Sequence, residues 1–284
     1  MKCLITGAAG QLGKDVCALF TEKGVDIVPA DVADCDITKR EDVLAFARMH
    51  RPDVIVHCAA YTAVDKAEDE SELCYAVNEK GTRNLVFAAR ETGAAFMYIS
   101  TDYVFDGGGN LPHKTDEKTN PLSVYGASKC VGEELVKTLS RFYIVRTSWV
   151  FGAGGGNFVK TMLRVGKQRP SLQVVDDQIG SPTYTPDLAT AMYGLLVSGR
   201  YGVYHATNEG YCSWAEFASA IFAAADMSVT VNGIASKDYP VKAVRPLNSR
   251  LDKTCLDDAG VARLPHWQDA LKRFIELLRK GNEL

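Results

Sequence analysis

The stretch Gly7-Ala8-Ala9-Gly10-Gln11-Leu12-Gly13 constrains the fold more than any other part of this chain. Lys2-Cys3-Leu4-Ile5-Thr6 before it reads as a short buried strand, and a helical pattern of Leu12, Val16, Leu19 and Phe20 follows. Strand, glycine turn and helix in that order are the context in which such a loop cradles a dinucleotide. Gly7 allows a tight turn, Gly10 lets the backbone approach a pyrophosphate, and Gly13 lets the helix pack close to the strand. The spacing Gly-x-x-Gly-x-x-Gly is one residue longer than Gly-x-Gly-x-x-Gly, and a plain glycine turn is the alternative reading.

The pattern set by this first unit repeats. Apolar runs at Asp26–Ala30, Val54–Cys58, Ala95–Ser100 and Phe142–Arg146 read as further strands. Helical periodicity lies between them, around Leu12–Glu22, Glu41–His50, Glu72–Glu91 and Val124–Thr138. Continuous apolar strands separated by helices predict an α/β fold with a doubly wound parallel sheet of Rossmann type. After Arg146 the rhythm changes. Gly152–Gly156 forms a loop without the Lys-Ser/Thr ending of a P-loop, Asn157 is placed to cap a helix, and a strand follows at Leu172–Val175. Further helices are expected over Asp187–Val197, over Trp214–Ala225 with Ser213 as cap, and over Trp267–Lys280. Residues 1–147 are thus expected to form the dinucleotide-binding domain. Residues 148–284 are expected to form a smaller α/β substrate-binding region, part of which packs back onto the sheet.

At 284 residues the chain can bury a sizeable core. Its formal net charge of −3 argues against a nucleic-acid surface, and no apolar run approaches the ~20 residues of a membrane span. The eight cysteines are scattered without a Cys-x-x-Cys pair, and the five histidines show no metal spacing. Reduced thiols, no metal site and a cytoplasmic location are expected.

Ligands in doubly wound sheets sit beyond the carboxyl ends of the strands. Asp31 ends the second strand, roughly 20 residues beyond the glycines, where an acid binds the adenosine ribose hydroxyls. Asp36 and Ile37 are placed beside the adenine by fold analogy. His57-Cys58-Ala59-Ala60-Tyr61 ends the third strand with small residues where a cofactor needs clearance, and His57 itself reads as a packed strand residue. The fourth strand ends in Ser100-Thr101-Asp102-Tyr103. The next helix carries Tyr125 and Lys129, which at i and i+4 share one face. A lysine beside a phenol favours the phenolate, so Tyr125 is expected to be shifted down towards working pH. A hydroxyl at Thr101, a tuned phenol and a lysine beside a nicotinamide describe hydride transfer to a ketone.

These motifs resemble the extended short-chain dehydrogenase/reductase family in order and spacing, almost end to end. The resemblance rests on Ile5–Gly13, Ala59-Ala-Tyr-Thr-Ala-Val-Asp65, Ser100-Thr-Asp-Tyr-Val-Phe-Asp-Gly107 and Asn120-Pro-Leu-Ser-Val-Tyr-Gly-Ala-Ser-Lys129. It continues through Arg146-Thr-Ser-Trp-Val-Phe-Gly152, Asn157–Met162, Asp177-Gln-Ile-Gly-Ser-Pro-Thr183 and Arg245-Pro-Leu-Asn-Ser-Arg-Leu251. It implies NAD(P)H-dependent reduction of the C4 ketone of dTDP-4-dehydro-L-rhamnose. Thr101, Tyr125 and Lys129 would be the catalytic set. The cofactor would lie along Gly7, Gly10, Gln11, Leu12, Asp31, Asp36, Ile37, Ala59, Ala60, Tyr61 and Asn78, with Tyr125 and Lys129 at its nicotinamide end. Asp102, Tyr103, Trp149, Asn157 and Phe158 would contact the sugar nucleotide, and Arg245 its phosphates. Asp31, with no Arg or Lys directly beside it, points to NADH, whereas the resemblance implies NADPH; both are expected. The partner is a small nucleotide sugar, with neither nucleic acid nor membrane, and the chain is a monomer or homodimer.

The segment Pro112-His-Lys-Thr-Asp-Glu117 departs from the family's usual Pro-Tyr-x-Glu-x-Asp. Asp15 and Asp187 stand where some relatives bind an interface cation, but both read as solvated helix acids. Thr101-Asp102-Tyr103 lacks the glutamate of sugar-nucleotide dehydratases. Another nucleotide-sugar 4-reductase, a 4-epimerase or a non-catalytic nucleotide-binding subunit are the alternatives.

Overall fold

The computed structural model describes residues 1–281. Its first half runs β1 (Lys2–Thr6), α1 (Gln11–Glu22), β2 (Asp26–Ala30), α2 (Arg40–His50), β3 (Val54–His57), α3 (Val64–Ala67), α4 (Ser71–Tyr75) and α5 (Thr82–Thr92). β4 (Ala95–Thr101), α6 (Val124–Val136) and β5 (Phe142–Thr147) complete it. Residues beyond 147 supply β6 (Val150–Phe151), α7 (Phe158–Gly166), β7 (Ser171–Val175), β8 (Ile179–Gly180), β9 (Thr183–Tyr184), α8 (Thr185–Ser198) and β10 (Gly202–His205). The chain ends with β11 (Asn208–Glu209), β12 (Cys212–Ser213), α9 (Trp214–Ala224), β13 (Thr230–Ile234), α10 (Thr254–Asp258), β14 (Leu264–His266) and α11 (Trp267–Lys280).

Six strands form one parallel sheet in the order β2-β1-β3-β4-β5-β10. Because strand side chains alternate, each apolar strand feeds both faces. Cys3, Ile5, Val54, Val56, Met97, Tyr143 and Val145 pack under Val16 and Phe20 of α1 and Leu188, Met192 and Leu195 of α8. Leu4, Ile55, Phe96, Tyr98 and Ile144 face the other way, against Val43 and Ala47 of α2 and Leu85, Val86 and Ala89 of α5. Burial on both sides is what makes the strands read as unbroken apolar runs.

Two features depart from the sequence expectation. The sixth strand, β10, is short and opens on Gly202, so nothing in its composition announces a sheet strand. The helix expected over Glu72–Glu91 is α4 and α5 joined by a π-helical turn, Ala76–Gly81. The extra residue in that turn accommodates Asn78, whose carbonyl accepts the Thr82 hydroxyl at 2.6 Å.

The remaining elements surround an aromatic core of Phe151, Tyr184, Phe217, Trp267 and Phe274. Here β7 pairs with β13, β6 with β9, β8 with β12 and β11 with β14. The expected caps are present: Asn157 accepts the Lys160 amide at 3.0 Å, and Ser213 with Glu216 forms a capping box on α9.

Candidate active site

The sheet order reverses between β1 and β3, since β1 continues to β2 on one side and β3 continues towards β5 on the other. A cleft of ≈ 710 Å³ opens there, at the carboxyl ends of β1 to β5. Gly7, Gly10, Gln11 and Leu12 form one wall. Gly7 has φ +67°, and a Cβ on it would lie 2.7 Å from the Ala59 amide nitrogen. A Cβ on Gly13 would lie 2.0 Å from the Gly7 carbonyl oxygen, so both glycines are required by close approach. No side chain caps α1, and no acid lies in its first turn. Its leading N–H groups and dipole are therefore available to an anion, which fits a dinucleotide diphosphate.

Asp31, Asp36 and Ile37 line the next corner, and Ala59 and Ala60 the opposite wall. Asp31 Oδ2 accepts the Ala9 amide at 2.8 Å, fixing the carboxylate against the glycine loop. Asp36 accepts the amide and hydroxyl of Thr38 at 3.0 and 2.7 Å, which holds its carboxyl below the usual range. Tyr61 and Asn78, expected to touch the cofactor, do not line the cleft. The Tyr61 ring turns outward and its hydroxyl donates to Glu70 at 2.6 Å. Asn78 accepts the Tyr61 amide at 2.8 Å and donates to the Tyr61 carbonyl at 3.1 Å and to Ser128 Oγ at 2.9 Å. Its side chain clamps the loop that follows β3 and cannot also reach outward. His57 packs as expected. Thr82 donates to the Asn78 carbonyl, so His57 Nε2 donates to Thr82 at 3.1 Å and Nδ1 accepts from Thr6 at 2.8 Å. Burial keeps this ring well below the ordinary histidine range.

Thr101, Asp102, Tyr103, Tyr125, Lys129 and Trp149 meet at the far end of the cleft. β4 carries Thr101 to the sheet edge, and Ser123 caps α6 by accepting the Gly126 amide, which sets the helix phase of Tyr125 and Lys129. Lys129 is buried, and its ammonium lies 3.9 Å from the centre of the Tyr98 ring. Burial lowers it to about 7, with Glu133 one turn along pulling the other way. Tyr125 is not lowered, contrary to the expectation from Tyr-x-x-x-Lys. Burial pushes its phenol up, with Thr101 opposing and Asp102 adding to the rise. The i,i+4 spacing puts both residues on one face, but the ammonium is seated on Tyr98. Beneath it, Glu133 forms a buried two-pronged pair with Arg146 at 2.9 and 2.7 Å and accepts Ser100 at 2.6 Å.

Three expected substrate contacts stand one layer behind the cleft lining, each touching a residue that lines it. Asn157 caps α7 and donates to Gln11 at 2.9 Å; Phe158 packs on Trp214 and Phe217. Arg245 pairs with Asp65 at 2.6 Å. Arg245 also hydrogen-bonds Tyr103, so its guanidinium braces a cleft residue. Trp149, at φ +49°, does line it and stacks on Trp214 with ring centres 3.6 Å apart. Trp214 and Thr147 are cleft residues absent from the sequence expectation. Thr147 was within reach, because it ends β5 at the same edge. Its buried hydroxyl has no hydrogen-bond partner among the described residues.

Residues 1–280 match the family described as RmlD substrate binding domain. The chain belongs to this family. The chain is 43% identical to a dTDP-4-dehydrorhamnose reductase of Aggregatibacter actinomycetemcomitans, over 96% of this chain and 98% of that protein. It is 37% identical to a dTDP-4-keto-6-deoxy-D-glucose reductase of Streptomyces niveus, over 97% and 96%. A crystal structure of dTDP-4-dehydrorhamnose reductase from Bacillus anthracis in complex with NADP superposes with a TM-score of 0.94. That protein is 43% identical, with 97% of this chain and 99% of that chain covered. Membership of the RmlD family agrees with the six-stranded parallel sheet. Among the described residues, no helix is long and apolar enough to cross a membrane, and no group of side chains is arranged to hold a metal ion.

Proposed function

We propose that this chain reduces the C4 ketone of dTDP-4-dehydro-L-rhamnose to dTDP-L-rhamnose with NADPH or NADH. The observation that carries the reading is the meeting of Thr101, Tyr125 and Lys129 at one end of a cleft whose other end offers an uncapped helix N-terminus and Asp31. The substrate follows from what the relatives are named to act on. Residues 1–147 would hold the cofactor; residues 148–284 would mainly hold the sugar nucleotide while lending α8 and β10 to the sheet. All eight thiols are unpaired, which suits a reducing cytoplasm.

The cofactor supplies the hydride. The α1 N-terminus would hold its diphosphate and Asp31 its adenosine ribose. Tyr125, kept protonated by burial, donates its proton to the C4 oxygen as charge develops there. Lys129, whose ammonium is seated on Tyr98, would hold the nicotinamide ribose and add positive charge at this end of the cleft. Trp149, backed by Trp214, gives the sugar a flat apolar wall.

Mixing the protein with the 4-keto sugar and reduced cofactor should oxidise one cofactor per sugar reduced. Isomerisation with no net cofactor oxidation would instead establish a 4-epimerase. Tyr125→Phe should bind cofactor with unchanged affinity while turnover falls by about 10²–10⁴. Undiminished turnover would sink the assignment. Offering the 4-keto-6-deoxy-D-glucose nucleotide in parallel decides between the sugars named for the two relatives.

A further inference from the structure

Asp102 is a buried carboxyl group with no part in the chemistry above. It is 2% exposed, on the 3₁₀ turn that follows β4. Thr101 Oγ1 donates to its Oδ1 at 3.0 Å, while the Tyr103 amide donates to Thr101 Oγ1 at 3.2 Å. Among the described residues Asp102 Oδ2 has no hydrogen bond of good geometry, while the Ser249 hydroxyl faces the carboxyl and favours its ionised form. We propose that Asp102 is a positioning residue that sets the direction of the Thr101 hydroxyl hydrogen, and so decides whether Thr101 donates to a ligand oxygen or only accepts from it. This rests on the reductase reading and deepens it.

The argument is a count of hydrogens. A hydroxyl has one donor hydrogen and two lone pairs, and an ionised carboxylate only accepts. With Asp102 ionised, the Thr101 hydrogen is committed to Oδ1 and the Tyr103 amide occupies one lone pair. What Thr101 offers Tyr125 and the cleft is then its remaining lone pair, which suits an O–H and not a ketone. With Asp102 protonated on Oδ1, the carboxyl O–H donates to Thr101 instead. Both lone pairs of Thr101 are then filled, and its own hydrogen is free for a ketone oxygen. Oδ1 is the oxygen already paired with Thr101, so protonation there is the arrangement that frees the Thr101 hydrogen. Ketone reduction needs the protonated form and alcohol oxidation the ionised form.

The surroundings place this change within reach of ordinary conditions. Burial raises Asp102 to about 6, with Ser249 and Thr101 pulling the other way and His113 a weaker opposing influence. The titratable groups facing it are His113 from the loop after β4, Tyr103 beside it and Tyr125 of α6; Arg245 lies beyond Tyr103. Burial pushes both phenols up, so they stay neutral through this range.

The test is the pH profile of kcat for ketone reduction at saturating substrates, for the wild type, Asp102→Asn, Thr101→Ser and Thr101→Val. The wild type should rise as pH falls through about 6, by up to ~10²-fold for a recovered donor to the reacting oxygen. Asp102→Asn and Thr101→Val should lose this limb, Thr101→Ser should retain it, and the limb set by Lys129 near about 7 should persist in all four. A uniform loss of rate in Asp102→Asn with the limb intact would mark a merely structural role and overturn the proposal. A readout independent of turnover is the infrared carboxyl band that disappears in Asp102→Asn. Its titration should move in Thr101→Val; an unmoved titration refutes the coupling. If the wild type reduces no sugar, the reductase reading fails, and the carboxyl titration still decides the role of Asp102.

Discussion

Cofactor choice turns on the corner where β2 ends. Asp31 is fixed there by the Ala9 amide, and its own amide donates to Asp34 Oδ2 at 3.0 Å. That part of the cleft is lined by Ala30, Asp31, Val32, Cys35, Asp36, Ile37 and Thr38, with no lysine or arginine among them. The nearby Lys39 ammonium pairs with Asp36 at 3.4 Å. A ribose 2′-hydroxyl can donate to the Asp31 carboxylate. A 2′-phosphate instead brings like charge against it, and Asp31 cannot swing away without abandoning the glycine-loop amide. For a phosphate of charge about −1.5 to −2 at about 5 Å, an effective dielectric of about 40 to 80 gives roughly 1–3 kcal/mol of repulsion. That is about 10- to 10²-fold in favour of NADH. Fluorescence titration of the reduced nicotinamide gives both dissociation constants without turnover, and kcat/KM with each cofactor gives the catalytic ratio. Asp31→Ser should weaken NADH binding and move the NADPH/NADH ratio towards NADPH by that same factor. Wild-type protein that binds NADPH as tightly as NADH, or a serine variant with an unchanged ratio, would refute the reasoning.

Two further outcomes concern stability. Arg146→Met leaves Glu133 as a buried charge held by Ser100 and, at 3.9 Å, by Lys137, and should lower unfolding free energy by about 3 kcal/mol in a denaturant titration. Pairing it with Glu133→Leu should restore most of the loss, because the penalty is the orphaned charge. Acid should destabilise the fold: burial holds His205 down to about 3 and His57 well below 6.5, so the unfolded chain binds two more protons below 6.5. Asp102, raised to about 6, and Asp15, also raised by burial, work the other way and offset part of this. Stability measured from roughly pH 6 to 4 should fall, by up to about 1.4 kcal/mol per pH unit, and a flat profile would contradict the burial of these rings.

Much of this was legible because the sheet is buried on both faces. Apolar strands, the glycine loop and the strand-end rule placed Gly7, Asp31, Thr101, Tyr125 and Lys129 in one cleft without any contact information. What stayed hidden depended on partners distant in sequence. Nothing in the sequence shows that Arg245 pairs with Asp65, or that the Asn78 amide clamps both polar groups of the Tyr61 backbone. The ammonium of Lys129 sits over Tyr98, a strand residue that no helical spacing reveals. β10 is recognisable only from the exposed edge of β5 that it completes. Tyr-x-x-x-Lys alone predicts the opposite shift at Tyr125, because the lysine at i+4 is visible in the sequence and the desolvation that buries both side chains is not.

The lateness of α8 and β10 has a consequence for the order in which this protein is made. The first five strands leave the ribosome well before the segment that covers Val16 and Phe20 of α1 and pairs along β5. Until residue 205 has emerged, the nascent sheet carries an open edge at β5 and an oily flank at α1, a form that invites chaperones and, when crowded, association with its own kind. A ribosome stalled between residues 147 and 185 would therefore display a sticky, half-clad sheet, whereas one stalled past β10 would display an edge already closed.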